Sequence, residues 1–200
     1  MWKLRDIIVA AILAVVCGAI YMGWDWVTNP LFAASMSPIV GAIVNGLWWI
    51  AAGLVPYIIR RPGAAFIAEL VSSCVEFLFG SPYSLGVIIS GLAQGIGPEL
   101  AFGAGRYKRY GYRTMMIAGA LGGLGNSVQW YFEYQGYSYS IPIIIGYTVV
   151  TMISGAILAG VLPKLIGDAL LRTGVLRNFE IGRDARRLRE ERAGSDSQTA

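Results

Sequence analysis

An apolar run from Ile7 to Val27, interrupted by a single charge at Asp25, dictates most of what this chain can fold into. A helix crossing the hydrocarbon of a bilayer needs about 20 predominantly apolar residues at roughly 1.5 Å each. The hydrophobic region of a signal peptide is shorter, roughly 7–15 residues, so the run reads as a membrane span and not as a cleaved leader. Comparable stretches follow, and spans are expected at 5–27, 37–58, 63–80, 84–105, 114–133 and 142–171. The third is short and carries Glu69 and Glu76, so hydropathy alone undervalues it.

Charge supplies the direction. All sixteen Lys and Arg residues fall on one side of this arrangement, or near the helix ends on that side. Lys3 and Arg5 precede the first span, Arg60 and Arg61 sit between the second and third, and Arg106, Lys108, Arg109 and Arg113 between the fourth and fifth. The other eight, beginning at Lys164, end the sixth span or follow it. The three opposite loops, near 28–36, 81–83 and 134–141, contain none. Basic residues are retained in cytoplasmic loops. The expected fold is therefore all-α integral membrane, with six transmembrane helices and both termini cytoplasmic. Residues 1–176 form the membrane domain and 177–200 a charged cytoplasmic tail, in which Arg183–Arg192 is a candidate surface helix drawn to anionic lipid.

Composition agrees. Hydrophobic residues are 56% and charged ones 14%, against about 25% charged in a soluble domain. The sequence pI near 9.2 follows from the topology, so no nucleic-acid partner is expected. There is no histidine, which excludes histidine catalysis, histidine–zinc motifs and histidine proton relays. Cys17 and Cys74 lie inside apolar segments with no metal or disulfide spacing. No catalytic residue, metal or cofactor is expected, and no Walker A pattern is present.

An ionisable residue in a spanning helix usually faces the bundle interior or a cavity. Glu69 and Glu76, seven apart, share one helix face, Glu99 follows Pro98 and its expected kink, and Asp25 and Glu133 lie nearer the outer edge. Placed by depth, Glu76, Gln94, Asn126, Gln129, Trp130, Tyr147 and Trp48 surround a pocket in the outer half. Aromatic faces there can stack on a ring, amides can read its edge, and a carboxyl can pair with a cation. The set suits a flat, polar heteroaromatic ligand. Glu69 and Glu99 point inward, where pairing with Arg60, Arg61 or Arg106 would make them structural. Trp24, Trp26, Tyr83, Tyr134, Tyr137 and Tyr139 are expected as interface anchors. Ala10, Ala14 and Gly18 form a smooth stripe on the first helix, where another helix can approach closely.

Three stretches then resemble a known family, the YkoE-like S-components of energy-coupling factor (ECF) vitamin transporters. They are Arg60-Arg61-Pro62-Gly63-Ala64-Ala65 leading into Glu69 and Glu76, Gly91-Leu92-Ala93-Gln94-Gly95-Ile96-Gly97 with Glu99, and Ile153-Ser154-Gly155-Ala156-Ile157-Leu158-Ala159-Gly160. The resemblance implies a membrane subunit that captures thiamine or its hydroxymethylpyrimidine precursor from outside. It implies work with a transmembrane coupling subunit and two cytoplasmic ATPases. It also implies docking of the coupling subunit on an Ala-x-x-x-Ala stripe, matched by Ala10 and Ala14 and extended by Gly18. Two other classes fit the composition: an intramembrane enzyme using paired carboxylates, and a stand-alone secondary carrier or channel.

Overall fold

The computed structural model describes residues 2–35, 37–187 and 190, and these form helices and turns without a strand. The helices are α1 (Leu4–Ala34), α2 (Pro38–Ala42), α3 (Ala51–Ile59), α4 (Ala64–Leu78), α5 (Gly86–Ala104), α6 (Tyr112–Glu133), α7 (Ile141–Gly155) and α8 (Leu162–Arg172). A 3₁₀ turn over Asn45–Trp49 joins α2 to α3, and a π turn over Ala156–Val161 makes α7 and α8 one rod. Successive rods lie side by side: α1 on α4, α4 on α5, α5 on α6, α6 on α7.

The bundle is inside out relative to a soluble protein. Ile7, Ile8, Ile12, Val15, Val16 and Ile20 face outward along α1, while Asp25, Glu69, Glu76, Gln94 and Gln129 are buried. Only an apolar solvent favours that arrangement. Leu4–Ala34, Gly86–Ala104 and Ile141–Arg172 are long and apolar enough by composition to cross a membrane. α5 runs through Pro98 as one helix.

The second expected span, 37–58, is not one helix. Gly41, Asn45 and Gly46 are weak helix formers, and the backbone groups freed at the break are met from neighbouring rods. The Ser154 hydroxyl donates to the Ile43 carbonyl at 2.7 Å and accepts the Gly46 N–H at 2.9 Å. Where α3 restarts, the Ala51 N–H donates to the Tyr21 hydroxyl at 3.0 Å and the Ala52 N–H to the Glu69 carboxyl at 3.2 Å. Tyr21 in turn donates to the same Glu69 oxygen at 2.9 Å. Glu69 is thus a helix cap supplied by another helix. A broken rod at membrane depth persists only where such partners exist, and the positive end of a half-helix draws an acidic group.

Glu99 does the same for α4. Its carboxyl accepts the N–H groups of Gly63 at 2.6 Å, Ala65 at 3.0 Å and Phe66 at 3.3 Å, and the Tyr107 hydroxyl at 2.7 Å. Burial, and then this carboxyl, push the Tyr107 phenol up to about 12, so it remains a donor. The expected pairing of Glu69 and Glu99 with arginines is therefore corrected: helix N-termini take both carboxyls. Arg60 pairs instead with Asp184, and Arg61 with Asp6 at 3.5 Å and Glu180 at 3.4 Å.

Those ion pairs also fix the start of the tail. Leu176 and Ile181 are buried in the core, and the backbone is helical over 180–187, so residues 177–187 lie docked against the end of the bundle that carries Trp2, Arg60 and Arg61. The remainder of the candidate surface helix Arg183–Arg192 lies outside the described residues, Glu190 excepted.

The small stripe of α1 needs a second correction. Ala10, Ala14 and Gly18 are buried, not exposed to a partner. The Ala14 carbonyl accepts the Ser72 hydroxyl at 2.9 Å, and a Cβ on Gly18 would meet the Ser72 carbonyl oxygen at 2.5 Å. The stripe is where α4 comes close to α1. The open face of α1 carries Ala11, Ala19 and Gly23 instead.

Candidate functional site

At the end of the bundle opposite Arg60 and Arg61, the rods part around a cavity of about 340 Å³, within the usual range for small-molecule sites. Trp48, Glu76, Gln94, Asn126, Gln129, Trp130 and Tyr147 all line it. Five separate rods deliver these seven side chains, so the fold brings together residues up to 99 positions apart (48 to 147).

Amides form one wall. Gln94 donates to the Asn126 carbonyl at 2.8 Å, and Asn126 donates to the Tyr147 hydroxyl at 3.1 Å. Asn45, on the 3₁₀ turn, donates to the same hydroxyl at 3.0 Å. Tyr147 thus accepts twice, which leaves its own O–H to donate. The Gln129 amide is committed to the Gly86 carbonyl at 3.0 Å and to Glu133 at 2.8 Å. That makes Gln129 a residue that shapes the wall more than one with spare donors.

Aromatic rings form the second wall. Trp130 lies on Tyr147 with ring centroids 3.9 Å apart and planes 19° apart, and on Tyr139 at 5.6 Å and 26°. Trp48 stands across from them, its indole N–H donating to Asp25 at 2.9 Å. Of the expected interface anchors, Tyr83, Tyr134 and Tyr139 turn inward to line the cavity, while Trp26 and Tyr137 stay on the outside.

The acidic end was only half legible in the sequence. Glu76 reaches the cavity, and behind it lies Asp25, fully buried, with Ser81 2.8 Å from Asp25 and 3.2 Å from Glu76. Among the described residues no Lys or Arg forms an ion pair with either carboxyl. A first span ending at 27 sets Asp25 near the membrane edge, whereas α1 continues to Ala34 and carries Phe32 into the cavity wall. A chamber with a stacked aromatic wall, an amide edge and an unneutralised acidic end can hold a flat heterocycle bearing positive charge.

The chain is similar over residues 5–125 to the family described as ABC-type cobalt transport system, permease component. The donor set offers cobalt little: the chain has no histidine, and no three Cys, Asp or Glu side chains converge among the described residues. It is 34% identical over 193 residues to the putative HMP/thiamine permease protein YkoE of Bacillus subtilis (strain 168), covering 94% of each chain. A crystal structure of an S-component of ECF transporter superposes with a TM-score of 0.92 at 31% identity, covering 98% of each chain.

Proposed function

Since this chain belongs to the YkoE-like S-components of ECF transporters, we propose that it captures thiamine or its hydroxymethylpyrimidine precursor at the outer face of the cell membrane. It is a multi-pass membrane transport subunit and not an enzyme. The observation that carries the ligand reading is the single cavity combining Trp130 on Tyr147, the Gln94–Asn126 edge and the Glu76 carboxyl. Thiamine matches all three, with a pyrimidine to stack, ring nitrogens and an amine to read, and a thiazolium cation for the carboxyl. Hydroxymethylpyrimidine matches the first two.

Six rods with the described lysines and arginines at one end support an N-in, C-in topology, with the cavity opening outward. The energy for uptake comes from a transmembrane coupling subunit and two cytoplasmic ATPases, because this chain carries no nucleotide-binding loop of its own. Calorimetric titration of the detergent-solubilised protein with each compound tests the reading. Saturable binding of either is expected. Folded protein that gives neither heat nor thermal stabilisation with both compounds would overturn the ligand assignment.

A coupling subunit docking on α1 would meet the open face and not the buried stripe. Ala19→Trp is therefore expected to abolish ATP-driven uptake in proteoliposomes while the isolated subunit still binds ligand. Ala14→Trp should instead reduce the yield of folded subunit, since Ala14 is 1% exposed against α4. Wild-type uptake by the Ala19 variant would exclude that face.

A further inference from the structure

Building on the capture reading, we propose that Asp25, which does not reach the cavity, is the positioning residue that aims Trp48 and gives the Glu76 end its preference for a cation. Asp25 is 0% exposed and forms no part of the cavity wall. Both of its oxygens are engaged: Oδ1 accepts the Trp48 indole N–H at 2.9 Å, and Oδ2 accepts the Ser81 hydroxyl at 2.8 Å. These partners come from the 3₁₀ turn and from the segment between α4 and α5, so one carboxyl on α1 ties three separate parts of the site together.

The tie to Trp48 sets a ring plane. Trp48 is half-buried, packed against the core and against Phe32 at a 5.9 Å centroid distance and 47° tilt, contacts that carry little direction of their own. The hydrogen bond adds that direction before any ligand arrives. Such preorganisation lowers the entropy lost on binding.

The tie to Ser81 sets charge. A serine hydroxyl has one proton for two carboxyls, and Asp25 is nearer to it than Glu76, which sits at 3.2 Å. Glu76 is also in hydrogen-bond contact with the Asp25 carboxyl itself, so the two acids act as one pair that leans on the shared serine hydroxyl, and no described cation pairs with either. A positively charged ligand supplies the counter-charge that the Asp25–Glu76 pair lacks. A neutral ligand gains nothing from it. Mere helix-to-helix attachment by Asp25 would support all ligands equally.

The test titrates the purified full chain and its variants with thiamine as the cationic probe and hydroxymethylpyrimidine as the neutral one. Asp25→Asn keeps an oxygen for the indole but removes the charge. It is expected to weaken thiamine binding at least tenfold more than pyrimidine binding. Asp25→Leu removes both ties and should weaken the two probes together. Ser81→Ala removes the hydroxyl that both carboxyls share but keeps the tie to Trp48, so it should show the same cation-selective loss on a smaller scale, and it serves if the Asp25 variants do not fold. An equal loss for both probes in Asp25→Asn and Ser81→Ala, or no loss in either, overturns the inference while leaving the capture reading intact. A wild-type protein that binds neither probe overturns the capture reading and this inference with it.

Discussion

Glu69→Leu is expected to cost the folded state, whereas Glu76→Gln, seven residues further along the same helix, is expected to cost the ligand. The first removes the acceptor of the Ala52 N–H and of the Tyr21 hydroxyl, both fully buried in the bundle. An orphaned buried polar group costs about 1–3 kcal/mol, so the two together amount to roughly 3–5 kcal/mol. The damage falls at the restart of α3, where the other cap, the Tyr21 hydroxyl on the Ala51 N–H, is itself held by Glu69. Glu69→Gln should recover most of the loss, because an amide oxygen accepts the same two bonds. Glu76 carries no such duty. Its carboxyl meets the Ser81 hydroxyl at 3.2 Å and the Asp25 carboxyl, caps no helix start, and faces the cavity. Glu76→Gln should leave the thermal midpoint within a few degrees of wild type and weaken thiamine binding by at least about tenfold, the lower range for losing a partnered charge. Thermal unfolding and titration, measured on both variants, separate the roles. A Glu69→Leu protein as stable as wild type would show that α3 is capped some other way. Unchanged thiamine affinity in Glu76→Gln would remove that carboxyl from the site.

The contrast also marks what the sequence disclosed. Depth and helical face were enough to collect seven cavity residues, because both follow from 1.5 Å rise and 100° rotation once the spans are known. What they do not disclose is whether a buried carboxyl meets a ligand, an arginine or a backbone. Glu69 and Glu99 were read against the nearby arginines, since side-chain charges are visible in a sequence. The unpaired N–H groups of a helix start are not, and the start of α3 at Ala51 became visible only when the rod proved to be broken. Asp25 was lost for a related reason. Trp24 and Trp26 look like an interface boundary, yet α1 continues past them and turns Asp25 inward. The stripe at Ala10, Ala14 and Gly18 shows the same limit in packing. Fourfold spacing identifies a smooth face but not its occupant, and here α4 fills it.

Two glycine substitutions with opposite signs put that limit to a measurement. Gly119 and Gly23 both lie within long helices, and in an isolated helix either would gain about 1 kcal/mol on conversion to alanine. At Gly23 nothing lies within 4 Å of the added carbon. Gly23→Ala is expected to raise the thermal midpoint slightly or leave it unchanged. At Gly119 the same carbon would sit 2.1 Å from the Gly155 carbonyl oxygen and 2.9 Å from the Gly160 nitrogen. These are backbone atoms, so no side chain can rotate away, and α6 would have to separate from the rod that carries the π turn. Overpacking a rigid seam costs typically 1–3 kcal/mol and sometimes more, which exceeds the propensity gain. The Gly119 carbonyl also accepts the Trp49 indole N–H at 2.9 Å, and Trp49 is fully buried beside Trp48 in the chain. Displacing α6 there disturbs the 3₁₀ turn that carries Asn45 and Trp48, so Gly119→Ala should lose ligand affinity along with several degrees of stability. If both variants melted with the wild type, the seam would be soft, and the close approach of α6 to the π turn would not be what holds the cavity walls in register.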